Sequence, residues 1–79
     1  MLSELSSKEM EVINLLVYGY TNSQISKRLF IAVSTVKAHV QAILYKLNVN
    51  NRVQAAIIAA NYLGITSEDI VKIANRKSI

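Results

Sequence analysis

Lys37 and Gln41 stand four residues apart in Thr35-Val36-Lys37-Ala38-His39-Val40-Gln41, so on a helix both project from one side. Their chemistry suits the edges of nucleic-acid bases. A lysine ammonium donates to guanine O6 and N7, and a glutamine amide offers one donor and one acceptor to adenine N6 and N7. Ala38 beside them is small enough to let a helix sit deep in a groove and to touch a thymine methyl. The alternative is a merely solvated face, but such faces ordinarily mix both signs of charge, and none of Ser34, Lys37, Ala38, Gln41 or Tyr45 is acidic.

The same bias extends outward. Between Val12 and Ser67 there is no Asp or Glu, while Lys27, Arg28, Lys37, Lys46 and Arg52 all fall there. A segment with cations and no anion attracts polyanions, whereas the chain's net charge of +4 alone would say little. Thr21 and Asn22 pair a hydroxyl and an amide with the free N–H groups of a helix start, a suitable seat for a phosphate. Ser34 and Thr35 can serve at the next helix start, and Lys46 and Arg52 lie where they could clamp the backbone from the far end.

Short helices must hold these groups. Ser6 with Glu9 forms a capping box, Leu5 is placed to staple against Met10, and Met10, Ile13, Leu16 and Val17 recur at helical spacing up to Gly19. Thr21 and Gln24 repeat the capping spacing for a second helix over Asn22 to Leu29, with Ile25 and Leu29 as its buried stripe. Phe30-Ile31-Ala32 is too short and too apolar for a free loop and predicts a tight, partly buried turn. A third helix, Val33 to Leu47, turns Val33, Val36, Val40, Ile43, Leu44 and Leu47 inward and Ser34, Lys37, Ala38, Gln41 and Tyr45 outward. Thr35, His39, Ala42 and Lys46 occupy a flank between the two.

The fourth helix, capped by Asn50 or Asn51 and closed by Gly64, is apolar nearly all round. Ala55, Ile58, Ala59 and Tyr62 make one stripe, and Val53, Ile57 and Ala60 a second. A domain this small has one core for a helix to face, so the second stripe is expected to pair two copies of the chain. Ser67, Glu68 and Asp69 suit the start of a frayed fifth helix, Ile70, Ile73 and Ala74 its narrow apolar stripe, and Arg76 and Lys77 its end. The expected fold is all-α: one compact four-helix domain over residues 1–79, with a short fifth helix at the C-terminus.

Other functions find little support. With no cysteine there is neither a disulfide framework nor a thiolate metal site, and no phosphate-binding glycine loop or Ser-His-Asp set suggests catalysis. His39, the lone histidine, reads as a packing or backbone-contact residue, so neither cofactor nor metal is expected. Tyr18, Tyr20, Tyr45 and Tyr62 fall in separate segments and read as packing residues, with Tyr45 also placed where it could flank a groove. Met1-Leu2-Ser3-Glu4 lacks a basic n-region, and no run reaches the ~18 apolar residues of a membrane span, so a soluble, cytoplasmic protein without membrane contact is expected.

These blocks together resemble the LuxR-type helix-turn-helix domain, the DNA-binding module of FixJ/NarL-type response regulators and GerE-like stand-alone regulators. The likeness runs from Leu5 to Ile65, leaving 66–79 as an extension. It rests on Leu5-Ser6-x-Lys8-Glu9-x-Glu11-Val12, Gly19-Tyr20-Thr21-Asn22-x-Gln24-Ile25, Thr35-Val36-Lys37-x-His39, Lys46-Leu47-x-Val49-x-x-Arg52 and Ala55 to Gly64. The resemblance implies that helix three enters the major groove of double-stranded DNA and that fourth helices pair two copies on inverted or direct half-sites. It implies base contacts from Lys37, Ala38 and Gln41, and phosphate contacts from Thr21, Asn22, Ser34, Thr35, Lys46, Asn51 and Arg52.

Two departures stand out. Ala32 occupies a place where the family usually has Ser or Thr, which removes an N-cap worth about 1 kcal/mol. The helix then starts with a looser first turn, or Ser34 takes over part of the capping. Lys8 stands where Arg is common. The expected function is sequence-specific transcription regulation, by a stand-alone regulator or the output domain of a longer one, as a homodimer with the transcription machinery as a further partner. A helical protein-interaction module and a sigma-factor-like promoter reader are the alternatives. An interaction module would carry an apolar or acidic patch on helix three, and the apolar fourth helix argues against the promoter reader.

Overall fold

Helix boundaries follow the capping chemistry closely. In a computed structural model describing residues 2–77, with side chains through Ile73, a 3₁₀ turn at Leu2–Glu4 leads into α1 (Ser7–Val17). Then come α2 (Asn22–Leu29), α3 (Val33–Leu47), α4 (Arg52–Leu63) and α5 (Ser67–Lys77). At the start of α1 the Ser6 hydroxyl accepts from the Glu9 N–H at 3.1 Å, and the Glu9 carboxylate accepts from the Ser6 N–H at 2.9 Å. Thr21 and Gln24 repeat that reciprocal pair at 3.1 and 2.9 Å, which fixes the start of α2.

Helix ends are set by left-handed residues. Gly19 takes φ 82°, so the Tyr20 N–H reaches back to the Leu15 carbonyl at 3.1 Å and stops α1. Gly64 closes α4 in the same way at φ 68°. α2 instead ends on Phe30 at φ 58°, a conformation that costs a side-chain-bearing residue about 1–2 kcal/mol. That reversal makes the tight, partly buried turn expected of Phe30-Ile31-Ala32. The Ile31 N–H closes on the Ser26 carbonyl at 3.1 Å and Ile31 packs against the core, while Phe30 is swung outward and is 92% exposed.

α3 is the hub, packed against α1, α2 and α4, and α1 also packs against α4. Val12 and Ile13 from α1, Ile25 from α2 and Val36 and Ile43 from α3 are fully buried. Side chains of this kind contribute about 1.5–3 kcal/mol each. Ala55 and Ala59 are the α4 residues with no exposure, and their small side chains let α4 come close to the core. Val33 and Tyr62, assigned inward by periodicity, lie on terminal turns that overrun the core and are 39% and 60% exposed. Tyr45 is likewise solvent-facing rather than packed, whereas Tyr18 and Tyr20 are partly buried.

The C-terminal segment forms a helix over Ser67–Lys77, as expected. Asp69 supplies the acceptor at its start, taking hydrogen bonds from the Thr66 N–H at 3.0 Å and the Thr66 hydroxyl at 2.9 Å. Ile70 packs against the core and Ile73 is half-buried. The side chains expected to complete the stripe and the basic end, Ala74, Arg76 and Lys77, lie outside the described side chains.

The start of α3 has no side-chain cap. Its first turn closes through the Ala32 carbonyl, which accepts from the Thr35 and Val36 N–H groups at 3.0 and 3.1 Å, and Ser34 does not substitute as a cap. Ala32→Ser is therefore expected to raise stability by about 1 kcal/mol in denaturant melts. An unchanged midpoint would mean that the backbone alone satisfies this turn.

Candidate nucleic-acid interface

The burial of Val36, Val40, Ile43 and Leu47 fixes the rotation of α3, and with it what the helix shows to solvent. Ser34, Lys37, Ala38 and Gln41 are all exposed on the outer face. Among the described residues no hydrogen bond or ion pair ties down Lys37 or Gln41, so both are available to a ligand. Ser34 and Thr35 stand exposed on the uncapped first turn of the same helix.

The remaining predicted contacts sit in a more connected setting. Arg52, at the start of α4, donates from Nη1 to Asn22 Oδ1 at 2.7 Å and from Nη2 to the Tyr20 carbonyl at 3.0 Å. This links the start of α4 to the start of α2 and brings Asn22 and Arg52 together. Both acceptors are neutral, so neither offsets the guanidinium's positive charge. Asn51, just before it, caps α4 by accepting from the Gln54 N–H at 3.0 Å. Thr21 is exposed, with its hydroxyl oxygen already accepting in the capping box and its proton free to donate.

Lys46 has a partner that local reading does not show. Its ammonium lies 2.7 Å from Oε1 of Glu9, a buried carboxylate on α1, so an anion from outside the acid-free stretch offsets one of its cations. Glu9 was legible as a capping residue; its second role joins positions 37 apart in the chain and leaves no local signal. Lys46 is only about one-third exposed and now fastens α3 to α1. Arg28, also unassigned from the sequence, lies over the Tyr20 ring at 5.4 Å, within cation–π range.

The Lys46 ammonium first, and the Ser6 N–H next, hold the Glu9 carboxyl below the usual carboxylate range, against the opposing effect of burial. Because the folded value is depressed, this contribution to stability is present above the unfolded value and is lost as pH falls through the folded one. Glu9→Gln is expected to flatten the acid limb of a stability–pH curve. Asp69, whose carboxyl is also lowered by its Thr66 hydrogen bonds, preserves part of the slope. An acid limb identical to the parent's would remove Glu9 from this role.

Val53 and Ile57, 63% and 59% exposed, lie on the opposite side of α4 from its buried alanines. With Ala60, Leu16, Val17 and Ile70 they line an open groove of about 750 Å³. Among the described residues no cluster of His, Cys, Asp and Glu could hold a metal ion, and no helix is long and apolar enough to cross a membrane.

Known proteins share this pattern. Residues 3–59 match the family model described as bacterial regulatory proteins, luxR family. The chain is 49% identical over 61 residues to a glycerol metabolism activator of Pseudomonas putida, covering 77% of this chain and 28% of that protein. It is 46% identical over 55 residues to the transcriptional regulatory protein LiaR of Bacillus subtilis, covering 70% and 26%. A nitrate/nitrite response regulator protein homolog of Haemophilus influenzae is 42% identical over 57 residues, covering 72% and 27%. The chain thus spans roughly a quarter of the length of these curated relatives. The family match and the exposed, cationic third helix lead to one assignment: the chain belongs to the luxR family of bacterial regulatory proteins and is a helix-turn-helix DNA-binding domain of the transcription-regulator type.

Proposed function

We propose that this domain reads duplex DNA by laying α3 in the major groove, as the DNA-binding part of a cytoplasmic transcription regulator, either stand-alone or the output of a response regulator. The observation that carries the reading is the outer face of α3, exposed, acid-free and untethered at Lys37 and Gln41, on a helix whose inner face is locked into the core. Lys37, Ala38 and Gln41 contact base edges. Thr21, Asn22, Ser34, Thr35, Asn51 and Arg52 contact phosphates and set the register, while Lys46 contributes with the face of its ammonium that Glu9 leaves open.

Dimerisation is the second part of the proposal. Val53, Ile57 and Ala60 offer an apolar surface that the domain's own core leaves exposed or half-covered, and a second α4 would bury it. The mechanism is positional: phosphate contacts fix the approach, α3 reads a few base pairs, and α4 couples two half-sites. Neither catalysis nor a cofactor enters it.

Selection of binding sites from random duplexes tests this reading, since the enriched half-site and its spacing report both the reading residues and the pairing geometry. On the selected site, log K is expected to fall with log salt at a slope of about −0.9 for each phosphate neutralised. Affinity that stays flat between low and moderate salt would contradict it.

A further inference from the structure

The outer face of α3 continues one turn beyond Gln41, to Tyr45. At about 100° per residue, Tyr45 stands within the arc spanned by Ser34, Lys37, Ala38 and Gln41. It is 87% exposed, and among the described residues no hydrogen bond or ring contact holds it. A lone exposed aromatic needs no special explanation; its place on this face, and the charges around it, give Tyr45 a meaning.

That end of α3 has lost its free cation. Lys46 is bound to Glu9 at 2.7 Å, and a second acid, Glu4, opens onto the shallow cleft that Tyr45 and Lys46 share, lined also by Leu44, Asn48 and Val49. With the Lys46 ammonium shared with Glu9, a neutral donor there adds grip on a polyanion that the lysine alone supplies only in part. The spacing agrees. Lys37 and Tyr45 are eight residues apart, or about 12 Å along a helix. With Lys37 over the base edges, Tyr45 stands about two helical turns further along the same face, toward the end of α3 where the helix leaves the groove past sugars and phosphates.

We infer that Tyr45 is a further DNA-contact residue, its ring lying against a deoxyribose and its hydroxyl donating to a phosphate. It thereby sets how far the reading helix slides along the groove. This rests on the major-groove reading above, and a tyrosine supplies the contact without drawing a counterion-releasing charge toward Glu4 and Glu9.

The test uses the chain itself on its selected duplex and on random duplex, with Tyr45→Ala, Tyr45→Phe and Tyr45→Lys, each checked by thermal melting. All three are expected to melt like the parent, because the side chain is in solvent. Tyr45→Ala is expected to weaken both duplexes by about tenfold, since phosphate contacts carry no direct sequence information, and Tyr45→Phe to weaken them nearly as much. Tyr45→Lys is expected to bind at least as tightly as the parent and to steepen the salt slope by about 0.9. Tyr45→Ala binding within twofold of the parent would overturn the inference, as would a Tyr45→Lys slope equal to the parent's. Tyr45→Phe matching the parent would overturn the hydroxyl–phosphate bond. A parent chain that binds no duplex overturns the groove reading itself, so the two failures are distinguishable.

Discussion

Lys37→Ala is expected to lose about 1–3 kcal/mol of affinity for the selected site, roughly fivefold to more than a hundredfold, and to lose less on random duplex. The asymmetry is the informative part. A lysine over guanine O6 and N7 discriminates among bases, whereas one on a phosphate binds every sequence alike. Lys37 is exposed and untethered on a helix held from its other side, and alanine is the best helix former, so the change leaves the scaffold unharmed. Equilibrium titrations of the two duplexes at one salt concentration read the difference. Equal losses on both would make Lys37 a phosphate contact and leave the reading to Ala38 and Gln41.

Ile57→Asp should leave single half-site binding close to the parent's and weaken binding to the paired site by tenfold or more. Ile57 sits in the open apolar groove of α4 and is 59% exposed, so an aspartate there remains hydrated in the free chain. Pairing would bury that carboxylate without a partner, a penalty of several kcal/mol. Comparing duplexes with one and two half-sites separates loss of pairing from loss of folding. Unchanged binding to the paired site would remove α4 from the dimer contact.

How much of this was legible in advance depended on the range of the interaction. Ser6 with Glu9, Thr21 with Gln24, and Gly64 announce helix ends because a cap is chemistry among residues three or four apart, and the observed boundaries follow them. Periodicity placed Val36, Val40, Ile43 and Leu47 inward, and they are buried. It could not show where the core stops, so Val33 and Tyr62, on terminal turns, were assigned to a surface that has nothing beside it. The turn at Phe30-Ile31-Ala32 is partly buried as read, but which residue turns inward is decided by the left-handed backbone at Phe30, and it is Ile31.

The interface shows the same division. The stripe of Lys37, Ala38 and Gln41 was visible because one helix carries it. The bonds of Glu9 to Lys46 and of Arg52 to Asn22 join separate helices, and they change what those cations have left to offer. Tyr45 lay between the two cases. Its position on the face was readable, but its exposure became clear only once the neighbouring helices were in place.

Groove-specific chemical interference on the selected duplex tests the central claim most directly. Methylation of guanine N7 lies in the major groove and methylation of adenine N3 in the minor groove, so the two modifications report which groove the protein needs. Loss of binding on N7 methylation within each half-site, with Lys37→Ala no longer sensitive to methylation at the guanine that Lys37 reads, is the predicted result. Binding blocked only by adenine N3 methylation, or indifferent to both, would contradict the placement of α3.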